Sequence, residues 1–190
     1  MQELTEIRWH ARAGQGAVTA AKLVAETALE LDRYMQAMPE YGPERMGAPI
    51  QAFTRISEAP IEIHNNIENP SVVVVLDETL LSFVPVTRGL TEGGAVIVNT
   101  CSPPDQLRGA LKVEGGSVAC VDASGIAMET LKRDMPNTPM IGALARVTGL
   151  FTLDQVRDHV AKTFGKKFAQ DVIDANLAAV TRAYGEVQVA

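Results

Sequence analysis

Three short apolar runs, rich in β-branched residues, constrain the fold of this chain most strongly. They occupy residues 72–76, 95–99 and 118–121. An apolar run without polar alternation is typical of a strand covered on both faces, as in a parallel sheet between helices. Helical patterns separate the runs, and alternating strands and helices favour such a sheet. The sequence therefore predicts a three-layer, Rossmann-like α/β fold: a mostly parallel sheet with helices on both faces.

Three segments before these runs are predicted to be extended. Residues 34–37 form a short extended piece, and residues 50–56 and 61–64 flank Pro60 as further extended pieces. We interpret the two pieces beside Pro60 as an antiparallel excursion from the parallel sheet. A chain of 190 residues is long enough to bury one ordinary core, so we predict a single domain over residues 1–190.

Charge and hydropathy exclude several classes of partner. The formal net charge is −6 and no basic stripe is present, which argues against nucleic acid binding. The longest apolar stretch, residues 72–76, is far shorter than the roughly 20 residues that cross a bilayer. The N-terminus lacks a basic region followed by an apolar one. We therefore expect a cytoplasmic protein that contacts neither nucleic acid nor membrane.

The residues that usually carry catalysis or metals form no recognisable set. Cys101 and Cys120 are too few for an iron–sulfur cluster or a closed zinc site, and we predict both as buried free thiols. His10, His64 and His159 have no metal-ligand spacing, and His159 falls on the polar side of a predicted helix. There is no Gly-x-Ser-x-Gly elbow. We predict neither catalytic residues nor a metal site in this chain.

The sharpest local motif is a glycine turn between a predicted strand and a predicted helix. Gly14 and Gly16 allow close approach of the backbone to an anion, and the first free N–H groups of a helix favour phosphate. Thr19 and Lys22 follow within the first helical turns. The motif lacks the third glycine of a dinucleotide fingerprint and the ending of a P-loop. A tight turn without any ligand is the alternative.

A proline- and glycine-rich loop at residues 38–49 is the second candidate. Loops of this length usually carry function. Its mixture of Tyr, Met, two Gly and three Pro suggests a shaped loop whose Arg45 pairs with a carboxylate or phosphate. The alternative is a surface pair between Arg45 and Glu44. Glu40 is a poor match for the acid that binds ribose in Rossmann dehydrogenases.

The order of these segments resembles a known family, the gamma subunits of pyruvate and related 2-oxoacid:ferredoxin oxidoreductases. The likeness extends over about residues 6–184. It rests first on residues 7–10, 14–23, 39–49 and 53–57, and then on residues 73–79, 96–100, 121–123 and 137–144. Two departures stand out. Ala11 and Ala13 occupy positions where the family commonly has glycine, and Met46 stands where a second arginine is frequent.

The resemblance implies a multisubunit enzyme in which this chain is not active alone. Its partners would be alpha, beta and delta subunits. Thiamine diphosphate and Mg²⁺ would lie between the alpha-like and beta-like parts, and iron–sulfur clusters in the delta or beta parts. The reaction would be the coenzyme A-dependent oxidative decarboxylation of pyruvate or a related, even aromatic, 2-oxoacid. Its products would be an acyl-CoA, carbon dioxide and reduced ferredoxin or another reduced acceptor.

We hypothesise that this chain binds no cofactor by itself and helps to form the entrance for coenzyme A. The candidate contacts with the coenzyme's phosphates are Gly14, Gln15, Gly16, Thr19, Lys22 and Arg45. Two alternatives stay open. The chain is a purely structural scaffold of the complex, or it is a free-standing nucleotide-binding oxidoreductase.

Overall fold

The computed structural model describes residues 4–39 and 45–190, which form a sheet of seven strands. In chain order the strands are β1 (Thr5–Arg12), β2 (Tyr34–Pro39), β3 (Pro49–Ser57), β4 (Val72–Val75), β5 (Ala95–Asn99), β6 (Ser117–Val121) and β7 (Gln188–Val189). Across the sheet they follow the order β2-β3-β1-β4-β5-β6-β7.

The four central strands β1, β4, β5 and β6 are parallel, as predicted. The antiparallel excursion is confirmed for β3, which runs antiparallel to β1 with Thr5 opposite Ile56. β2, predicted only as an extended piece, pairs antiparallel with β3. The predicted strand at residues 61–64 is wrong, because this segment is irregular. The short antiparallel strand β7 at the opposite edge was not predicted.

Helices cover both faces of the sheet. They are α1 (Ala17–Glu30), α2 (Pro104–Leu111), α3 (Ala123–Leu131), α4 (Asn137–Thr148), α5 (Leu153–Phe164) and α6 (Gln170–Glu186), with a 3₁₀ helix at Glu78–Ser82. The larger core lies under α1, α3, α4, α5 and α6, and the smaller one lies under α2 and the segment that follows β4. The three-layer α/β prediction is therefore confirmed.

The all-valine strand β4 illustrates why its sequence does not alternate. Val72 and Val74 face the larger core, and Val73 and Val75 face the smaller one. Because both faces are buried, neither set of positions tolerates polar side chains. The same demand explains β5 and β6, which lie beside it in the centre of the sheet.

Trp9 fixes α1 against the antiparallel half of the sheet. The fully buried indole donates from Nε1 to Thr54 Oγ1 at 3.1 Å, and that hydroxyl donates to the carbonyl of Ala21 at 3.0 Å. Buried indole N–H groups usually require such a partner. The chain of bonds links β1, β3 and α1, so the start of α1 has a defined position relative to the end of β1.

A buried arginine–histidine pair lies on the opposite face of β1. Arg8 Nε donates to His10 Nε2 at 3.2 Å, and the same guanidinium donates to the carbonyls of Val86 and Arg88. Burial, aided by the charge of Arg8, lowers the pKa of His10 to about 4. The imidazole is therefore neutral and accepts a hydrogen bond, which identifies His10 as a structural residue.

This pair predicts a specific loss of stability in acid. Unfolding returns His10 to an ordinary pKa near about 6.5, so the unfolded chain binds a proton that the fold excludes until about pH 4. Stability should fall as pH drops through this window, by roughly 3 kcal/mol in total. His10→Gln, which keeps an acceptor for Arg8, should remove that contribution when urea unfolding is measured against pH.

Exposed His64 supplies the matched control. His64→Gln measures what the replacement of an exposed histidine by glutamine does to urea unfolding by itself, because His64 is solvent-exposed in the fold. Parallel stability curves for the wild type and His10→Gln between pH 6.5 and 4 would contradict the assignment of a neutral, buried His10.

Candidate anion-binding groove

The glycine turn has the strand-turn-helix form that its sequence predicts. β1 ends at Arg12 and α1 begins at Ala17, with Gly14 at φ +103° and Gly16 at φ +81°. Neither Ala11 nor Ala13 has a positive φ, so the two alanines cause no strain of this kind. No side chain caps the start of α1. The first N–H groups of the helix are therefore left for another partner.

The start of α4 packs directly against this turn. A Cβ atom added at Gly16 would lie 2.7 Å from Asn137 Nδ2, which is closer than side chains approach each other. Asn137 is only 5% exposed, and its Oδ1 has no hydrogen-bond partner among the described residues. Pro136 precedes it and provides no side-chain cap for α4. Two uncapped helix starts therefore meet at one point.

A groove with a volume of about 910 Å³ lies over these two helix starts. Five basic side chains and two carboxylates line it: Lys22, Arg133, Lys162, Lys166 and Lys167 against Glu26 and Glu30. An apolar wall is formed by Val18, Leu23, Leu29, Phe164, Phe168 and Val172. Its size lies in the range of small-molecule and cofactor sites. The groove thus combines uncapped helix starts, an excess of positive charge and an apolar wall.

Four of the six candidate residues line this groove. They are Gly14, Gly16, Thr19 and Lys22. Lys22 is exposed and lies 3.5 Å from Glu26 one helical turn away. A surface pair of this kind contributes less than about 1 kcal/mol, so a phosphate can displace the carboxylate at little cost.

The other two candidates lie outside the groove lining. The side chain of Gln15 is used within the fold: Oε1 accepts from the N–H of Arg12 at 2.8 Å, and Nε2 donates to Asp77 Oδ2 at 2.9 Å. Arg45 is exposed at the start of a described segment. The rest of its loop, Glu40 to Glu44 with Tyr41, lies outside the described residues, and so does the predicted pair between Arg45 and Glu44.

The end of that loop is nevertheless attached to the glycine turn. Gly47 donates its N–H to the carbonyl of Ala13, and Ala13 donates to the carbonyl of Ala48. A Cβ added at Gly14 would lie 2.7 Å from Met46 Sδ. Met46, at the position where the family frequently has arginine, therefore touches the turn with its sulfur, although 87% of its side chain is exposed.

Arg12, at the end of β1, makes contacts beside the glycine turn that the sequence analysis did not identify. Arg12 Nε lies 3.2 Å from Asp77 Oδ2, Nη2 donates to Thr79 Oγ1 at 2.7 Å, and the guanidinium stacks over Phe83 at 5.5 Å. Burial alone would raise the pKa of Asp77. Hydrogen bonds from Thr79 and Gln15 and the charge of Arg12 outweigh it and lower that pKa. The carboxylate therefore stays charged and joins β4 to the glycine turn.

His159 is buried, not on the polar side of its helix as predicted. Its Nδ1 lies 3.0 Å from Glu30 Oε2, and its Nε2 lies 3.6 Å from Glu26 Oε2. Despite this short distance, Nδ1 has no hydrogen-bond partner among the described residues. Lys162, at 2.5 Å, and His159 lower the pKa of Glu30. Lys22 and Lys162 are thus partly neutralised by Glu26 and Glu30.

The cysteines and the acidic residues do not form a redox or metal centre in the part of the chain that the structure describes. Within residues 4–39 and 45–190, no three His, Cys, Asp or Glu side chains are placed to share a metal ion. Cys120 is a buried free thiol, as predicted, but Cys101 is exposed. The charge of Asp122 raises the pKa of Cys101, which disfavours a reactive thiolate.

Among residues 4–39 and 45–190, no helix combines the length and the apolar character that a membrane crossing requires.

The comparisons with known proteins agree with the fold and the motifs. The family model described as pyruvate ferredoxin/flavodoxin oxidoreductase matches residues 6–186. The chain belongs to this family. Within the family it corresponds to the gamma subunit, one part of a multisubunit oxidoreductase. The resemblance inferred from the sequence is therefore confirmed.

Relatives of this subunit match over nearly the full length. Pyruvate synthase subunit PorC of Thermotoga maritima is 51% identical over 185 residues, which cover 96% of this chain and 94% of the relative. The common subunit gamma of the pyruvate/ketoisovalerate oxidoreductases of Thermococcus kodakarensis is 49% identical over 161 residues, which cover 85% of this chain and 87% of the relative. The crystal structure of a Thermotoga maritima pyruvate oxidoreductase subunit PORC superposes with a TM-score of 0.87 at 46% identity, covering 99% of each chain.

A more distant solved structure shares the fold alone. It is described as a 2-oxoglutarate:ferredoxin oxidoreductase from Magnetococcus marinus with 2-oxoglutarate, coenzyme A and succinyl-CoA bound. The TM-score is 0.71 at 18% identity, and the likeness covers 97% of this chain and 31% of the other.

The contact between Gly16 and Asn137 predicts that a substitution of Gly16 destabilises the fold in two separable ways. Gly16→Ala should lower the free energy of unfolding by about 1 kcal/mol, because alanine is strained at a positive φ. The displacement of Asn137 by the new Cβ should raise the total loss to roughly 2 kcal/mol. Gly47→Ala is the matched control, because Gly47 has a similar φ of +84° and nothing within 4 Å of its added Cβ. Urea unfolding of the purified subunit measures both variants.

The double variant Gly16→Ala/Asn137→Ala should recover the steric part of the loss and keep the conformational part. Equal destabilisation by Gly16→Ala and Gly47→Ala would show instead that the two helix starts do not restrict each other.

Proposed function

We propose that this gamma subunit holds the phosphates of coenzyme A at the entrance of a thiamine diphosphate-dependent 2-oxoacid:ferredoxin oxidoreductase. The assembled cytoplasmic enzyme converts pyruvate or a related 2-oxoacid to an acyl-CoA, carbon dioxide and reduced ferredoxin. The observation that carries the proposal is the meeting of two uncapped helix starts, at Gly16 and Asn137, inside a basic groove.

The helix starts favour a phosphate group for two reasons. The first N–H groups of a helix have no partner within it, and the aligned peptide dipoles place partial positive charge at the same end. α1 has 14 residues and α4 has 12, so both are long enough for a developed dipole. A diphosphate bridging the two starts would accept hydrogen bonds from these N–H groups, for which neither Gly16 nor Pro136 offers a side-chain acceptor.

Asn137 adds an independent sign of a ligand. A buried amide oxygen without a partner costs about 1–3 kcal/mol, and native proteins rarely leave one unpaired. No described residue offers Asn137 Oδ1 a donor. A ribose hydroxyl or an amide N–H of the coenzyme supplies that donor, and the other atom of the same amide, Nδ2, can donate to a phosphate.

The comparisons support coenzyme A as the ligand. The Magnetococcus marinus enzyme, whose chain contains a module with this fold, is described with coenzyme A and succinyl-CoA bound. The likeness covers less than a third of that chain, so most of that enzyme lies outside the shared module. The overall net charge of −6 does not oppose the proposal, because the groove itself is lined by five basic side chains against two carboxylates.

The partners supply the rest of the chemistry. We place thiamine diphosphate and Mg²⁺ between the alpha and beta subunits, and the iron–sulfur clusters in the delta or beta subunits. The residues that the structure describes here do not fit such groups: they hold no metal-ligand cluster and two isolated cysteines. On this proposal the gamma subunit alone does not oxidise a 2-oxoacid.

Steady-state kinetics of the assembled enzyme test the proposal. Lys22→Ala/Arg45→Ala should raise the KM for coenzyme A about tenfold, because charge-assisted contacts to phosphate are lost. Asn137→Ala should raise it about fivefold through the loss of one hydrogen bond. The decarboxylation half-reaction, measured as carbon dioxide released without coenzyme A, should keep its rate in all variants.

Arg88→Ala is the matched control, since Arg88 is exposed and lies outside the groove. The competing hypothesis of a purely structural scaffold predicts that activity follows assembly, measured by gel filtration. Fully assembled variants with an unchanged KM for coenzyme A would therefore refute the proposed contact and favour the scaffold.

A further inference from the structure

The groove continues beyond the two helix starts to an aromatic end at the junction of α5 and α6. This aromatic end consists of Phe164, Lys166, Lys167 and Phe168, all of which line the same groove as Gly16. The two rings pack edge to face with centroids 5.3 Å apart. Phe168 remains 46% exposed. A phenylalanine held in place yet half open to a groove offers a surface for a flat apolar group.

The backbone at this end is ordered by a short turn. The N–H groups of Lys167 and Phe168 both donate to the carbonyl of Phe164 at 2.9 Å. The next helix, α6, begins at Gln170 with no side-chain cap, and Val172 and Asn176 from its first turns line the groove. Lys166 and Lys167 therefore sit at a fixed point between the end of one helix and the uncapped start of another.

The positive charge of the groove is not distributed evenly. Lys22 and Lys162 are paired with Glu26 and Glu30 on α1. Within the part of the chain that the structure describes, no carboxylate lies within ion-pair distance of Lys166 or Lys167, the latter next to Phe168. Positive charge without an ion-pair partner thus coincides with the exposed aromatic ring.

We propose that the aromatic end binds the adenine and the 3′-phosphate of coenzyme A, with the base against Phe168 and the phosphate on Lys166 and Lys167. This inference rests on the proposed function, which assigns the diphosphate to the two helix starts. Coenzyme A carries two separate anionic groups, a diphosphate and a ribose 3′-phosphate, next to one aromatic base. The groove has a matching order: uncapped helix starts, then a half-exposed aromatic ring with two unpaired lysines.

A structural explanation for the two lysines makes a different prediction. Cations near the end of a helix interact favourably with its last carbonyl groups, and both lysines follow the end of α5. In that case their removal would lower stability without discriminating between ligands. Recognition of the 3′-phosphate requires discrimination between coenzyme A and dephospho-coenzyme A, which differ in this group alone.

The experiment uses the assembled enzyme with both coenzymes. Lys166→Ala/Lys167→Ala should raise the KM for coenzyme A about tenfold and the KM for dephospho-coenzyme A less than about twofold. Arg88→Ala/Arg157→Ala is the control for the loss of two positive charges outside the groove. Equal changes for the two coenzymes, or no change for either, would overturn the assignment of the 3′-phosphate.

Phe168 is tested separately. Phe168→Ala should raise the KM for both coenzymes about fivefold, because stacking on the base is lost, and Phe168→Tyr should restore it. Inhibition by adenosine 3′,5′-bisphosphate, a probe with the base and the 3′-phosphate, should weaken in both Phe168→Ala and the double lysine variant. Unchanged inhibition in both would overturn the proposal.

The outcome separates this inference from the proposed function. If Asn137→Ala raises the KM for both coenzymes while the lysine and phenylalanine variants behave as wild type, the diphosphate site stands and the aromatic end is refuted. If no groove variant, including Asn137→Ala, changes either KM, the proposed function itself fails.

Discussion

The close approach of Gly16 and Asn137 is the contact on which the groove depends. Any side chain at position 16 would collide with the Asn137 amide, so the absence of a Cβ brings the starts of α1 and α4 together. Their orientation follows from the sheet, because Trp9 and Thr54 fix α1 against β1 and β3. Packing and anion binding are therefore not independent here: the geometry that creates the site is also what the core requires.

The sequence predicted the sheet well because a strand that is buried on both faces requires apolar residues at consecutive positions. Val72 to Val75 on β4 are buried on both faces of the sheet, as the apolar run at residues 72–76 predicted. The turn at Gly14 and Gly16 was likewise visible, since positive φ requires residues of this type.

What the sequence did not reveal depends on partners far along the chain. His159 is buried because Glu26 and Glu30 on α1 accommodate it, and nothing local to α5 distinguishes it from a surface residue. Gln15 lies in the glycine turn and was a reasonable candidate for a ligand contact, but Asp77, some 60 residues away, engages its amide. Asn137 likewise became a candidate only in the structure, where the start of α4 lies beside the start of α1. Polar side chains in a fold of this kind have roles set by tertiary contacts, which local patterns do not encode.

The distribution of charge explains how an acidic protein can hold an anionic coenzyme. Glu26 and Glu30 neutralise Lys22 and Lys162, and these pairs are weak enough at the surface to be exchanged for phosphate. If the groove binds the phosphates and the base, the thiol end of the coenzyme extends beyond it. On the proposed function, the chemistry at the reacting carbon is left to a partner subunit, and the gamma subunit would contribute orientation and affinity for the coenzyme.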